Sequence, residues 1–335
     1  MDSATQFILG ASVAGVTLGR VMGPRALLVG GALGTLPDLD SFIPMGNAID
    51  NMTYHRGFSH SVFVLTAVSP VIAYALTRTI NALKDRWWLT FLGVWLCLVT
   101  HPILDSLTTY GTQIFWPFGN APPGIAPVAL PAVFIIDPIY TLLLLAGVIA
   151  FWRWGHDGAR ALRIFLGLGT FYLGLGVAGH YAVRAKAEAH PMLQGMQIHV
   201  QPTPFNIFGW QVLGVDDKQV TSALTAPFPG CKIVPVIQKP RMPEPPQGTE
   251  LPDSVKRLAW FTDGFYQYRV AGDQLIMSDL RIGFSPSFVF SFEVARRIEG
   301  KFRSVQPARV RLETPRAEGV RQLLGQVVDT LKTCG

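Results

Sequence analysis

Residues 133–152 read VFIIDPIYTLLLLAGVIAFW, twenty positions with a single charged side chain, Asp137. A helix of that length rises about 30 Å, the thickness of a bilayer's hydrocarbon core. Working outward, residues 161–183 form a second clear apolar run, and residues 61–76 and 87–98 form two more, which makes four firm spans. Residues 7–18 and 26–36 are shorter than the roughly 20 residues a spanning helix needs, so they predict a helical hairpin, tilted or re-entrant. Small residues at Gly10, Ala14, Gly15 and Gly19, and again at Gly167, Gly169, Gly174 and Gly176, allow helices to approach closely in lipid.

Charge divides the chain in the same place. Only 15% of the 335 residues are charged and 49% are apolar, against roughly 25% charged in an ordinary soluble domain, which excludes disorder. Residues 1–190 hold 11 Lys and Arg with 9 Asp and Glu, and residues 191–335 hold the other 17 and 13. The first part is expected to be an all-α polytopic membrane domain. The second, with Pro-rich breaks at 240–246 and alternating segments at 197–200, 210–215, 258–270, 274–282 and 287–294, reads as a smaller soluble domain of antiparallel strands closed by a helix at 320–331. Such a domain is expected to pack over the membrane site as a lid or docking surface.

The net charge of +6 comes from scattered Lys and Arg with no basic run interleaved with aromatics, so no nucleic-acid partner is expected. Cys97, Cys231 and Cys334 form no close-spaced metal or redox motif. If the C-terminal domain lies in an oxidising compartment, Cys231 and Cys334 can pair. The opening MDSATQ lacks a basic segment and reads as the start of a retained helix rather than a cleaved signal peptide.

Orientation follows from the connections. Arg20, Arg25, Arg78, Lys84, Arg86, Arg153, Arg160 and Arg163 lie on one set of loops, whereas the alternate loops at 37–60 and 105–132 carry only Arg56. Cytoplasmic loops are the positive ones, so the alternate loops and the C-terminal domain are expected on the periplasmic side of a bacterial inner membrane.

Those alternate loops gather the ionisable residues. Pro37-Asp38-Leu39-Asp40 ends the second apolar segment, Tyr54-His55-Arg56-Gly57-Phe58-Ser59-His60 precedes the third, His101-Pro102-Ile103-Leu104-Asp105 closes the fourth, and Asp137-Pro138 opens the fifth. Ionisable groups beside lipid are costly and usually have partners. His101 and Asp105, four apart, share one helix face, and the two Asp of PDLD, two apart, point to one side of an extended or turning segment. Asp38, Asp40, His55, His60, His101, Asp105 and Asp137 are therefore candidate metal ligands.

Carboxylate mixed with imidazole suits zinc, manganese or iron, and seven ligands exceed the need of one ion. Such a cluster lowers the pKa of a bound water and clamps the oxygens of a phosphoester. Arg56 cannot be a ligand, but its planar fork can receive a substrate phosphate or hold a ligating carboxylate. Ser59, Thr108, Thr109 and Thr112 are candidate supporting donors, Asn120 and Gln6 candidate neutral ligands, and Asp40 or Asp137 a candidate general base. Each cluster alone has an ordinary reading: Asp38 and Asp40 as caps, His55 and His60 as interfacial residues, His101 with Asp105 as a hydrogen-bonded brace, Asp137 as the N-cap before Pro138. Four such clusters at one face favour chemistry.

Together MDSATQFILGASVAG, LGTLPDLD, YHRGFSHS, HPILDSLTTYGTQIFWPF and FIIDPIYTLLLL resemble the YdjM-type family of bacterial membrane-bound metal-dependent hydrolases over residues 1 to about 150. A more distant similarity runs to the zinc-dependent phospholipase C and single-strand nuclease superfamily. The resemblance implies a metal-dependent hydrolase of the inner membrane, with Asp38, Asp40, His55, His60, His101 and Asp105 as ligands, Asp137 as a further one, and Gln6 where many relatives have His. A phosphoester of a lipid or envelope-derived molecule is the expected substrate, and membrane lipids are the expected partners. The rival readings are a metal transporter or sensor, which would need ionisable residues deep within several spans, and a non-catalytic assembly protein that binds no metal.

Overall fold

Asp2 starts the first helix: its side chain accepts from the backbone N–H of Thr5, which satisfies one of the donors a helix N-terminus leaves open. The computed structural model describes residues 1–118, 124–284, 287–310, 325, 330 and 332–334. They form two compact units, one drawn from Met1–Ile43, Arg56–Ala121 and Pro127–Val177, the other from Pro44–His55, Pro122–Ala126 and Ala178–Gly335. The division runs through a helix after Val177 rather than at residue 190.

Among the described residues the α-helices in chain order are α1 (Ser3–Thr17), α2 (Gly19–Met22), α3 (Arg25–Thr35), α4 (Ala48–Tyr54), α5 (Val62–Thr79), α6 (Trp87–Ser106), α7 (Pro138–Trp154), α8 (Ala159–Glu188) and α9 (Ser254–Phe261). In the first unit α1 and α3 make the expected hairpin of short helices. A Cβ built on Gly10 of α1 would lie 2.2 Å from the carbonyl oxygen of Gly30 on α3, so the two backbones touch. Gly19 likewise seats the Phe151 ring. Of the second glycine series, Gly176 meets the Ala132 carbonyl and Gly169 meets Tyr140 and Leu144, while Gly167 and Gly174 face open space.

Among the described residues, three stretches are long and apolar enough to cross a membrane: Val62–Thr79, Trp87–Ser106 and Pro138–Glu188. The last contains α7 and α8, joined by a 3-10 turn whose Gly155 sits at φ +55°, a conformation that favours glycine. Gly147 of α7 and Leu162 of α8 face each other, so the two helices pack side by side. Their outer faces carry Leu142, Ile149, Phe171 and Leu175, all exposed, which is the pattern of a protein solvated by lipid. Trp88, Trp152 and Trp154 flank Arg86 and Arg153 at helix ends, where indole rings settle at a membrane surface.

In the second unit, β1 (Gln197–Pro202), β2 (Trp210–Val215), β3 (Gln219–Thr225) and β4 (Val234–Pro240) form one antiparallel sheet in that order. A second four-stranded antiparallel sheet takes β5 (Tyr266–Ala271), β6 (Gln274–Asp279), β9 (Ser291–Ile298) and β10 (Lys301–Arg309) in the order β10-β9-β6-β5, with β7 (Gly283–Phe284) and β8 (Ser287–Phe288) as a small hairpin. Val183 and Ala187 at the end of α8 pack with Val200, Trp210 and Val212 in one core cluster. Leu213, Val220, Phe265, Leu280 and Phe288 form another.

The strand read at 258–270 is corrected: Leu258 to Phe261 belong to α9, because Val255, Leu258 and Phe261 at helical spacing bury one face, and the strand starts at Tyr266. Strands β3, β4 and β10 were not foreseen; β4 carries two prolines and β10 alternates charge with a bulge between Ser304 and Ala308. The closing helix read at 320–331 falls almost wholly outside the described residues. Cys231 and Cys334 form a disulfide across 103 residues of sequence.

Candidate metal centre

The last turn of α6 presents His101 and Asp105 on one face, both wholly buried. A 3-10 helix at Leu36–Phe42, set by Pro37 in its first turn, supplies Asp38. A second short 3-10 helix, Phe58–His60, supplies His60, and it is reached through Arg56 at φ +62° and Gly57. The backbone reversal at Arg56 turns the His60 ring inward, to zero exposure.

These four side chains each offer one ligand atom, and the atoms all lie within 4.8 Å of one another. The two Nε2 atoms of His60 and His101 are 3.1 Å apart. Asp38 Oδ1 lies 3.6 Å from His60 Nε2 and 3.4 Å from His101 Nε2. Asp105 Oδ2 lies 3.3 Å and 3.5 Å from the same two nitrogens. With metal–ligand distances of about 2.0–2.2 Å, the edges of a tetrahedron around zinc are about 3.3–3.6 Å. The five separations fall close to that range.

The surroundings fix which ring nitrogens carry protons. His101 Nδ1 is 2.6 Å from the carbonyl oxygen of Gly34, which can only accept, so Nδ1 holds the hydrogen and Nε2 presents a lone pair. Ser59 Oγ donates to Asp40 Oδ2 at 2.5 Å and therefore accepts from His60 Nδ1 at 2.9 Å, which leaves the His60 Nε2 lone pair inward as well. The hydrogen-bond network thus assigns two imidazole lone pairs to one point. Asp105 Oδ2 is buried and accepts no hydrogen bond. Arg56 Nε stands 3.1 Å from this oxygen as an ion pair, but it does not reach between the two imidazole lone pairs, and facing lone pairs are costly unless a cation stands among them. The residues present therefore fit a divalent metal.

Other candidates take supporting places. Asp40 accepts from Ser59 and from the Arg56 backbone N–H and orients His60, lying 3.9 Å from its Nδ1; it supports the ligand group and is not a member of it. Arg56 is buried, with Nε 3.1 Å from Asp105 Oδ2 and its guanidinium 4.8 Å above the Tyr110 ring. Thr108 receives a long contact from Arg56 Nη1 and donates to the Asp105 carbonyl. Gln6 Nε2 and the Met1 ammonium both donate to Asp105 Oδ1. Asp137 is the N-cap of α7, bound by the Tyr140 N–H and the Tyr172 hydroxyl, and lies outside the four-ligand group. His55 ends α4 in the second unit and is also outside the group. Thr112 pairs with Val128 through its backbone. Asn120 falls outside the described residues. The Gly34 carbonyl and the Tyr110 ring were not foreseen, since neither carries a sequence signal of its own.

Among the four, Asp38 alone reaches solvent, with 15% of its side chain exposed. The centre opens on that edge.

The family profile described as YdjM inner membrane protein matches residues 1–183, more than half of the chain. Among curated proteins, the chain is similar to the uncharacterized protein YfhP of Bacillus subtilis, 28% identical over 203 residues that make up 58% of each chain. It is also similar to the inner membrane protein YbcI of Escherichia coli, 38% identical over 104 residues, 30% of this chain and 58% of that protein. The chain thus spans under two thirds of the length of both relatives. No solved structure matches it significantly. The inner-membrane match and the apolar helices together locate the protein in a membrane.

Proposed function

We propose that this chain, which belongs to the YdjM family of inner membrane proteins, is a metal-dependent hydrolase that cleaves a phosphoester of a membrane-borne substrate. The observation that carries this reading is the convergence of Asp38, His60, His101 and Asp105 with both imidazole lone pairs turned to one point. These four side chains would hold the ion. When bound, a divalent metal supplies Lewis acidity and an activated water near neutral pH. Zinc suits four ligands of this kind, and manganese or iron are the competing occupants.

The chain's own residues do the rest. Arg56, fixed by Asp105 and Tyr110, stands ready to bind an anionic oxygen with its remaining N–H groups. Asp38 Oδ2 sits at the open edge, where it accepts from Ser3 and is placed to take a proton from incoming water. Asp40 and Asp137, read as bases from sequence, are occupied in orienting His60 and in capping α7.

The rim favours a lipid substrate. Leu39, Phe42 and Ile43 flank the two aspartates on the Leu36–Phe42 turn and its exit, and Phe42 is 82% exposed. Turns in water are polar, so a turn of this composition fits a bilayer surface. Metal-loaded protein in detergent is expected to hydrolyse a short-chain phospholipid in mixed micelles, and Arg56→Ala should lower the rate about 10²–10³-fold. Failure of the metal-loaded wild type on phosphomonoesters, phosphodiesters and phospholipids alike would end the hydrolase reading.

The orientation proposed is multi-pass, with the metal centre and the C-terminal sheets on the periplasmic side, in keeping with the positive loops and with a Cys231–Cys334 disulfide, which suits an oxidising compartment. Trapping thiols by alkylation in intact cells should leave Cys231 and Cys334 unmodified until reductant is added. Alkylation of both without reductant would put that domain in the cytoplasm.

A further inference from the structure

Strand β2 runs alongside the end of α8, which shows the edge of its sheet that faces the membrane. At the start of the strand the Trp210 indole fills the space beside Gly179, where an added Cβ would lie 2.9 Å from the ring. Further along, Val212 shares a core cluster with Val183 and Ala187, and Gly214 meets Leu193 and Met196, beyond the end of the helix. Gly179 lies four residues inside the apolar run that ends at Val183, about 6 Å at 1.5 Å per residue. The Trp210 end of the sheet is therefore level with the end of the apolar run, and β2 leads away from it.

Two loops turn at that end. Residues 203–209 join β1 to β2 beyond the Pro202–Trp210 pair, and residues 226–233 join β3 to β4 beyond the Leu224–Val234 pair. Residues 202–210 read PTPFNIFGW and residues 226–231 read APFPGC, without one charged side chain. Each loop carries an exposed phenylalanine, Phe208 at 46% and Phe228 at 49%, and the two rings stack with centroids 6.5 Å apart. Val234, where β4 leaves the second loop, is exposed as well. Lys186, three residues past the apolar run, donates to the backbone carbonyls of Ala226, Phe228 and Cys231 at 2.8, 3.2 and 3.1 Å, which fixes that loop against α8. The turn at the opposite end of β2 is Asp216-Asp217-Lys218, the polar composition of a turn in water.

Paired exposed rings on charge-free loops, at the level where a spanning helix leaves its apolar run, match the aromatic belt that forms at a bilayer surface. We propose that the 203–209 and 226–231 loops form a lipid-docking surface, with Phe208 and Phe228 inserted at the boundary between headgroups and acyl chains, so that the first sheet rests on the bilayer beside α8. This surface uses no residue of the metal centre. It rests on α8 crossing the membrane and not on the hydrolase reading.

The test uses full-length protein reconstituted in nanodiscs of phosphatidylethanolamine and phosphatidylglycerol. Phe208→Cys and, at the opposite turn, Lys218→Cys are each labelled with a nitroxide, and wild type, whose free Cys97 is buried, serves as the blank. Electron paramagnetic resonance should find the ratio of oxygen to nickel-chelate accessibility several-fold higher at residue 208 than at residue 218, because oxygen concentrates in lipid and the chelate in water. In a second measurement, p-benzoylphenylalanine in place of Phe228 keeps an aromatic ring at that position, and irradiation should attach it to lipid, read as an added lipid mass. A ratio at residue 208 no higher than at residue 218 would put the loop in water and overturn the proposal. So would low accessibility to both reagents at residue 208, which places protein on this surface, or irradiation that yields no lipid adduct at residue 228, with or without a crosslink to a second copy of the chain.

Discussion

Replacing His101 by alanine is expected to strip the metal from the purified protein. His101 Nε2 forms three of the five short separations in the ligand group, and its Nδ1 hydrogen ties α6 to Gly34. Removing the ring takes one of four ligands and opens the buried centre to water. Loss of a supporting contact alone costs about 10–100-fold in metal affinity, and loss of a ligand costs more. Elemental analysis of detergent-purified wild type is expected to find close to one ion per chain, since four ligand atoms suffice for one tetrahedral site. This is fewer than the two or three ions that seven ligands would serve, because Asp40 and Asp137 are held elsewhere by Ser59 and Tyr172. Ser59→Ala supplies the graded control: it keeps all four ligands but frees the His60 tautomer, so the ion should be held 10–100-fold less tightly, as about expected for an orienting residue. Equal metal content in wild type and a helical, monodisperse His101→Ala would show that no ion is bound through this ring.

Much of this was legible because the spacing of ligands on a helix is a local property. His101 and Asp105 share a face by the 3.6-residue period alone, and that face is the one the structure buries. The apolar runs at 61–76 and 87–98 correspond to Val62–Thr79 and Trp87–Ser106, since lipid leaves no polar stripe to blur them. The distinction between Asp38 and Asp40 was not legible. Two residues apart, they were expected to point to one side, but the segment folds as a 3-10 helix, where residues at i and i+2 diverge by about 120°. Asp38 then enters the ligand group and Asp40 reaches the far nitrogen of His60 through Ser59. His55 and His60 were separated by a similar local event, the positive φ at Arg56, which no hydrophobic period predicts. In the second unit α9 was hidden because eight residues give too few turns for periodicity to outvote the β-formers around them.

A single methyl group on a residue that is not itself a ligand should also weaken the centre. Gly10→Ala would put a Cβ 2.2 Å from the Gly30 carbonyl oxygen and 2.8 Å from the Gly34 Cα, both backbone atoms of α3. Neither can rotate away as a side chain would, so α1 and α3 must part. Overpacking of this kind costs about 1–3 kcal/mol. The consequence reaches the metal through Gly34, whose carbonyl accepts the His101 Nδ1 hydrogen, and through the turn that follows α3 and carries Asp38. A matched variant separates this from any general effect of adding a methyl to a membrane helix. Gly167 in α8 has no atom within 4 Å of the position its Cβ would take, so Gly167→Ala should be neutral or stabilise by about 0.5–1 kcal/mol through helix propensity. Gly10→Ala is therefore expected to melt earlier than wild type and to retain less metal, with every ligand intact. Gly167→Ala should match or exceed wild type in both measurements. If the two variants behave alike, the α1–α3 contact does not position the centre, and the link drawn here from a glycine on one helix to a histidine on another fails.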